Sequence, residues 1–200
     1  MVSQDQRKAA TRRAALAAAS ALFGAEGYAA VSMDAVCRRA DIAKGGLYHH
    51  FPTKAALFEA VVAHTAAGVS AEIEARVPQA PPYLGALKSG MALFFQECAV
   101  GSARRILVED GPAVLGPTRW RAIDQASFGG LARLALHAAV EAGEIDRQPV
   151  EPLATLLLGA ATEAVLACGA AEEYSATAQA HLGALDRLID GLGARDARGV

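Results

Sequence analysis

The chain has 200 residues, enough for one sizeable domain or two small ones with ample core material. It is 53% hydrophobic with a mean hydropathy of +0.24, yet much of that content is alanine, which at this density predicts helix. A net charge of −2 argues at face value against a nucleic-acid binder, but the charge is uneven. Residues 1–60 hold eight Lys/Arg against five Asp/Glu, whereas residues 61–200 hold eleven against sixteen. A basic head on an acidic body is the asymmetry expected when only one end meets phosphate. Cys37, Cys98 and Cys168 are odd in number and scattered, each within an apolar helical pattern. They read as small buried hydrophobes in a reducing cytoplasm.

Residues 1–6 read as a disordered arm. A first helix is predicted from Arg7 to Ala25, with Gly27 as its left-handed C-terminal residue. Arg7, Lys8, Arg12 and Arg13 ahead of Ala14–Ala25 imitate a signal peptide. However, Leu16, Ala19, Leu22 and Phe23 share one face of an ordinary amphipathic helix, so a cytoplasmic location is expected. Tyr28 and Val31 read as core.

The stretch from Ser32 to Lys54 carries the most information. Ser32 is an N-cap residue, and behind it Met33, Val36, Cys37 and Ala40 follow the spacing of a buried helical face. The pattern stops at Ala40-Asp41 and resumes with Ile42, Leu47 and Phe51, until Pro52 ends it. Two short helices joined by three or four residues make a helix-turn-helix. With Ile42, Leu47 and Phe51 inward, Lys44, Gly45, Tyr48 and His49 lie on or near the opposite face. Gly45 and Gly46 cost the helix about 2 kcal/mol relative to alanines. A duplex approaching too closely to admit a Cβ accounts for that loss, whereas a loosened connector is the bland alternative.

Residues from about 10 to 60 resemble the DNA-binding domain of the TetR family of bacterial transcriptional regulators. The residues that carry the resemblance are Ala18 to Phe23, Gly27-Tyr28, Ser32-Met33, Val36, Ala40, Lys44-Gly45, Leu47 to Phe51, and Lys54 with Leu57-Phe58. Two positions depart from the pattern. Ala43 replaces the usual hydroxyl before Lys44, which removes one phosphate hydrogen bond, and Ala55 replaces a glutamate, which weakens a capping box. The resemblance implies an all-α protein: an N-terminal three-helix helix-turn-helix DNA-binding domain, then a C-terminal helical effector-binding and dimerisation domain, about nine helices in all. It implies DNA contacts from Lys44 and the Gly45-Gly46 backbone to bases. Phosphates fall to Thr11, Ser32, Tyr48, His49 and Lys54. Lys54 also stands in a first helical turn, where a cation opposes the helix dipole unless an anion is near.

Thr53 caps the fourth helix, with Leu57, Phe58, Val61 and Val62 as its apolar stripe, continuing to about Val77. The expected division is therefore residues 1–54 for DNA binding, a connecting helix over 54–77, and 78–200 for the rest. Pro78, Pro81 and Pro82 mark the joint. Beyond it helices are predicted over Tyr83–Val100, Ala103–Asp110, Arg119–Ala142 (interrupted at Gly129-Gly130), Leu153–Ala171 and Ser175–Leu192. GPAVLGP, Gly111–Pro117, reads as a loop. Leu153–Ala171 is apolar enough to raise a membrane span, but Glu163 near its middle would cost about 3 kcal/mol there, so no membrane is expected. Ala160, Ala164 and Cys168 would let two helices approach closely, and the last two helices form a four-helix interface when a second subunit supplies its pair.

No nucleophile elbow, zinc-protease motif, P-loop or dinucleotide fingerprint occurs, so no enzymatic activity, cofactor or metal is expected. Adjacent His49 and His50 diverge on a helix and do not share a metal. Glu109-Asp110 is a paired carboxylate at the end of a short helix, open to a catalytic reading, to a solvated helix end or to a contact with a neighbouring arginine. The later aromatics line a pocket or fill a core, with Phe94, Trp120 and His137 nominated for a small-molecule effector site that the resemblance implies. The expected protein is a homodimeric, ligand-responsive repressor on palindromic double-stranded operator DNA. The alternatives are a ligand-independent activator or nucleoid-type DNA binder, and a helical small-molecule binding protein without a DNA role.

Overall fold

The computed structural model describes residues 3–99 and 102–193. Among them are nine α-helices and one π-helical segment, and the only β feature is a single bridge between Ile145 and Gly193, as the all-α expectation requires. In order the helices are α1 (Gln4–Glu26), α2 (Met33–Ala40), α3 (Lys44–His50), α4 (Lys54–Arg76), α5 (Tyr83–Ala99), the π-helical Arg104–Asp110, α6 (Gly111–Ala126), α7 (Phe128–Glu141), α8 (Val150–Ala170) and α9 (Tyr174–Asp190). The contacts divide the described chain into two compact units, one of residues 3–66 and 102–123, the other of residues 67–99 and 124–193.

In the first unit, α1 begins three residues earlier than the sequence suggested. Ser3 Oγ accepts the Gln6 amide at 3.1 Å while the Ser3 amide donates to Gln6 Oε1 at 2.8 Å. This capping box satisfies two otherwise orphaned donors, so residues 4–6 are helical rather than an arm. Further along, α1 buries Ala15, Leu16, Ala19 and Phe23. The Phe23 ring meets Phe58 of α4 edge-on at 5.1 Å and stacks near Tyr28 at 5.8 Å, and Tyr28 meets Phe58 at 4.9 Å. Three mutually contacting rings thus fix α1, the turn after it and α4 in one arrangement.

The segment 102–123 departs most from expectation. The predicted loop at Gly111–Pro117 is instead helical, because the π-helical turns run directly into α6 and only Gly116, at φ 75°, breaks the path. Wide turns just before Pro112 accommodate a ring that would clash with the carbonyl four residues back, and Pro117 opens the second half of α6, where its missing amide costs little. The expected boundary at residue 78 also did not anticipate that this segment packs with the head. Arg105 Nη1 donates to Ala25 O at 2.5 Å and Gly24 O at 3.5 Å, while the Tyr28 amide donates to Asp110 Oδ2 at 2.7 Å. A cation on the last carbonyls of a helix satisfies orphan acceptors and complements the dipole. Glu109 meets Arg104 at 2.6 Å. Both members of the carboxylate pair are therefore engaged in holding the fold, Glu109 through an arginine and Asp110 through a backbone amide.

The second unit is a helical cluster in which α5 packs on α7, α8 and α9, and α8 on α7 and α9. Its core includes Leu87, Met91, Phe95, Leu136, Leu157, Val165, Leu185 and Ile189. The break predicted at Gly129-Gly130 falls instead at Ser127, whose φ −108° and ψ −94° are not helical, and both glycines lie inside α7. Tyr83 and Leu84 amides, free at the start of α5, donate to the two Glu144 oxygens at 2.8 and 2.9 Å. Of the small residues on α8, Ala164 and Cys168 are buried, and Cys168 Sγ lies 4.0 Å from His181 Nδ1 of α9, so this stripe serves the packing of α9 within the subunit. Cys37, expected to be buried, is only half-buried. By length and composition α4 and α8 could each cross a membrane, but both bury apolar residues against neighbouring helices of this fold.

Phe58 is completely buried at the centre of the ring cluster. Phe58→Ala is expected to cost about 3–5 kcal/mol, read from urea unfolding of the full chain, whereas the exposed Tyr48→Ala should change stability by less than about 0.5 kcal/mol.

Candidate nucleic-acid interface and ligand cavity

Ser32 caps α2 through its Oγ, which accepts the Ala35 amide at 3.1 Å. The helix ends at Asp41, whose left-handed φ 52° and ψ 49° turn the chain toward α3. Both helices pack on α1 and on each other, with Met33, Val36, Leu47 and Phe51 buried. Inward Leu47 and Phe51 leave Lys44, Gly45, Tyr48 and His49 exposed. Tyr48 is unusual for its size in keeping 40% of its surface in solvent.

No neighbour among the described residues requires the two glycines. A Cβ at Gly45 would meet no atom within 4 Å, and one at Gly46 would make ordinary contact with Thr11 Cγ2 at 3.6 Å. Gly46 and Thr11 are thus neighbours, which brings α1 and α3 together at the same surface. Thr11 Oγ1 itself donates back to Arg7 O at 3.0 Å.

Two lysines are less free than their sequence positions suggested. Lys44 Nζ lies 2.8 Å from Asp34 Oδ1, with both side chains more than half exposed. That hydrogen bond, with its Coulomb attraction, raises the Lys44 pKa and lowers that of Asp34. Lys54 Nζ donates to Ala29 O at 3.3 Å and sits 4.3 Å over the Tyr28 ring, so its charge also braces the turn after α1. His49 lies 5.4 Å from His50, ring to ring. Asp34 is the residue that sequence reasoning missed. Its only signal was an acid in the first turn of α2, which helix capping explains equally well.

The second unit contains a cavity of about 270 Å³ between α4, α5, α7 and α8. Ile73, Val77, Leu87, Met91, Phe94 and Phe128 supply much of an apolar wall, with the Phe94 and Phe128 rings 5.0 Å apart. Its volume is near the lower end of the range for ligand pockets, roughly 300 Å³. Among the nominated residues only Phe94 lines it. Trp120 belongs to the other unit, where its Nε1 donates to Leu107 O at 2.7 Å and its ring fills the space a Cβ on Gly111 would need. His137 is exposed on α7 and is not a wall residue. The wall also carries Asp124, whose side chain has no hydrogen-bond partner among the described residues. Burial pushes its carboxyl up to about 6. A lone aspartate near a helix end reads in sequence as solvated, which is why it was not nominated.

Residues 15–61 match the tetR family of bacterial regulatory proteins, and residues 84–192, more than half of the chain, match the tetracyclin repressor-like C-terminal domain. The HTH-type transcriptional regulator UidR of Escherichia coli K12 is 42% identical over 52 residues, a match spanning 26% of this chain and 26% of UidR. The chain therefore matches only about a quarter of that curated relative's length. A TetR-family transcriptional regulator from Pectobacterium atrosepticum has the same fold at a TM-score of 0.82 and 25% identity, over 96% of this chain and 98% of the other. TylP, a tetR regulator from Streptomyces fradiae, follows at a TM-score of 0.70 and 27% identity, over 96% and 90%. With its head and its body each matched and its fold shared along nearly its whole length, this protein belongs to the TetR family of bacterial regulatory proteins.

Proposed function

We propose that the protein is a cytoplasmic, ligand-responsive repressor that binds a palindromic operator as a homodimer. The observation that carries the DNA-binding part is the glycine pair on α3. Two residues that weaken a seven-residue helix are required by no neighbour among the described residues, and they sit between Lys44, Tyr48 and His49 on an exposed face. A duplex in contact with that face gives the missing Cβ atoms a purpose. In this reading Lys44 and the Gly45-Gly46 backbone meet base edges in the major groove, and Thr11, Ser32, Tyr48, His49 and Lys54 meet phosphates. Lys44 exchanges Asp34 for DNA, and Lys54 has hydrogens left to donate beyond its bond to Ala29.

Dimerisation draws support from α8 and α9, where Leu156 keeps 72% of its surface exposed, Leu166 37% and Leu188 59%. An exposed apolar face on two adjacent helices suits a four-helix interface with a second copy. The cavity favours an effector over a ligand-independent activator or nucleoid-type binder, because a protein that only dimerised would have no use for the void. An effector acts by preferring the conformer whose recognition helices are wrongly spaced for the operator.

Fluorescence anisotropy with the intergenic DNA beside the protein's own gene is the primary test. Binding should weaken log-linearly between about 50 and 200 mM salt, and binding no tighter than to scrambled DNA would sink the reading. Lys44→Ala should weaken operator binding about 5- to 10-fold, whereas Asp34→Asn should tighten it about 2- to 5-fold by releasing Lys44 and removing a carboxylate that faces phosphate. The paired change Leu156→Glu with Leu188→Glu should yield monomers in analytical ultracentrifugation. A stability test concerns Asp124, whose folded pKa of about 6 exceeds the unfolded value of 3.8. Its penalty is absent while the carboxyl stays protonated and grows as pH rises from about 4 to 6. Asp124→Asn should therefore stabilise the protein by about 2 kcal/mol more at pH 7.5 than at pH 4, measured by urea unfolding at both.

A further inference from the structure

Charge in the cavity wall is of one sign. Among the described residues its ionisable groups are Glu74, Asp124 and Tyr83, with Gln79 and Thr162 as neutral polar groups and no lysine, arginine or histidine. Glu74 is solvent-exposed, which puts it at the open side, whereas Asp124 is partly buried among apolar walls. The nearby cation does not neutralise Asp124, because Arg133 is held by the side chain and the backbone oxygen of Gln125. Burial alone perturbs the Asp124 carboxyl, as it would for an acid with neither a counter-charge nor a donor beside it. The fold tolerates an unpaired acid in an apolar wall, which is the pattern of a group whose partner arrives from outside.

We propose that the effector is a lipophilic organic cation, an apolar or aromatic body carrying one protonated amine that pairs with Asp124. This rests on the reading of the cavity as the effector site and adds the chemical class. The body would fill the space beside Phe94 and Phe128, whose ring faces attract a cation as well as an apolar surface. Glu74 at the mouth draws a cation inward, and the ammonium then donates to the Asp124 carboxylate and replaces the water it loses. An anionic ligand of the same shape would bring a second negative charge beside Asp124 in surroundings that screen it poorly. At about 270 Å³ the cavity suits a ligand of one or two rings or a short chain rather than a macrocycle.

Three probes of matched shape test this on the full chain at pH 7.5: 4-phenylbutylamine, 4-phenylbutan-1-ol and 4-phenylbutyrate, each titrated calorimetrically. The amine should bind at least about 10-fold more tightly than the acid, with the alcohol between them. Asp124→Asn should shrink the amine-to-acid preference to within about 3-fold while moving the alcohol by less than that. Equal binding of amine and acid, tighter binding of the acid, or a preference that survives Asp124→Asn would overturn the proposal. If the alcohol binds and the amine gains nothing over it, only the cation assignment falls. If none of the three binds, the effector-site reading falls with it. The wild-type series decides the charge preference even if the variant fails to fold.

Discussion

The C-terminal end of α1 is the point on which the head depends. Helix ends leave carbonyls unsatisfied, and here Arg105 closes on those of Gly24 and Ala25 while Asp110 takes the amide of Tyr28. Tyr28 in turn contacts Phe23 and Phe58 and lies under Lys54. One short region thus receives a charge-assisted bond from the 102–123 segment, a ring contact from α4 and a cation from the start of α4. Truncating either Arg105 or Asp110 would leave a partly buried polar group unmatched, a larger loss than a surface ion pair. By contrast, the exposed pair of Lys44 and Asp34 contributes little to the fold and is correspondingly easy to exchange for another anion.

The same anchoring gives α6 its significance. Trp120 donates to Leu107 O and lies against Gly111, so the π-helical turns and the first part of α6 form one clipped unit. Arg119 adds an ion pair to Glu59 of α4, with Nε 2.7 Å from Oε1. These attachments to α1 and α4 fix the part of α6 that belongs to the first unit. The residue just past this clipped stretch is Asp124, in the cavity wall.

The helix-turn-helix was legible because its signals are local. Ser32 caps, Pro52 stops, and Leu47 with Phe51 sets which face is buried, all within about twenty residues. The segment from 102 to 126 was not legible, since glycine and proline at both ends of GPAVLGP signal a loop, and only the π-helical turns before Pro112 make a helix feasible. Trp120 looked like a pocket residue by type, but its indole donor found a carbonyl thirteen positions earlier. Asp124 and Asp34 were missed for one reason. Each is a single acid on a helix, and what distinguishes it is a relation across space, to an apolar wall in one case and to Lys44 across the turn in the other. The start of α7 shows the reverse error: Gly129 and Gly130 suggested a break that the chain makes at Ser127 instead.

The glycine pair has a consequence for dynamics as well as for contact. A seven-residue helix carrying two glycines, with no side-chain cap at Ala43, has little helicity of its own and holds its shape because Leu47 and Phe51 are seated in the head. It is therefore a region of low local stability within an otherwise well-anchored unit. In the free protein its amides would exchange hydrogen early, by opening events far smaller than global unfolding. A partner that covers α3 would slow that exchange most where the intrinsic helix is weakest, so part of its binding free energy goes into ordering the surface it reads.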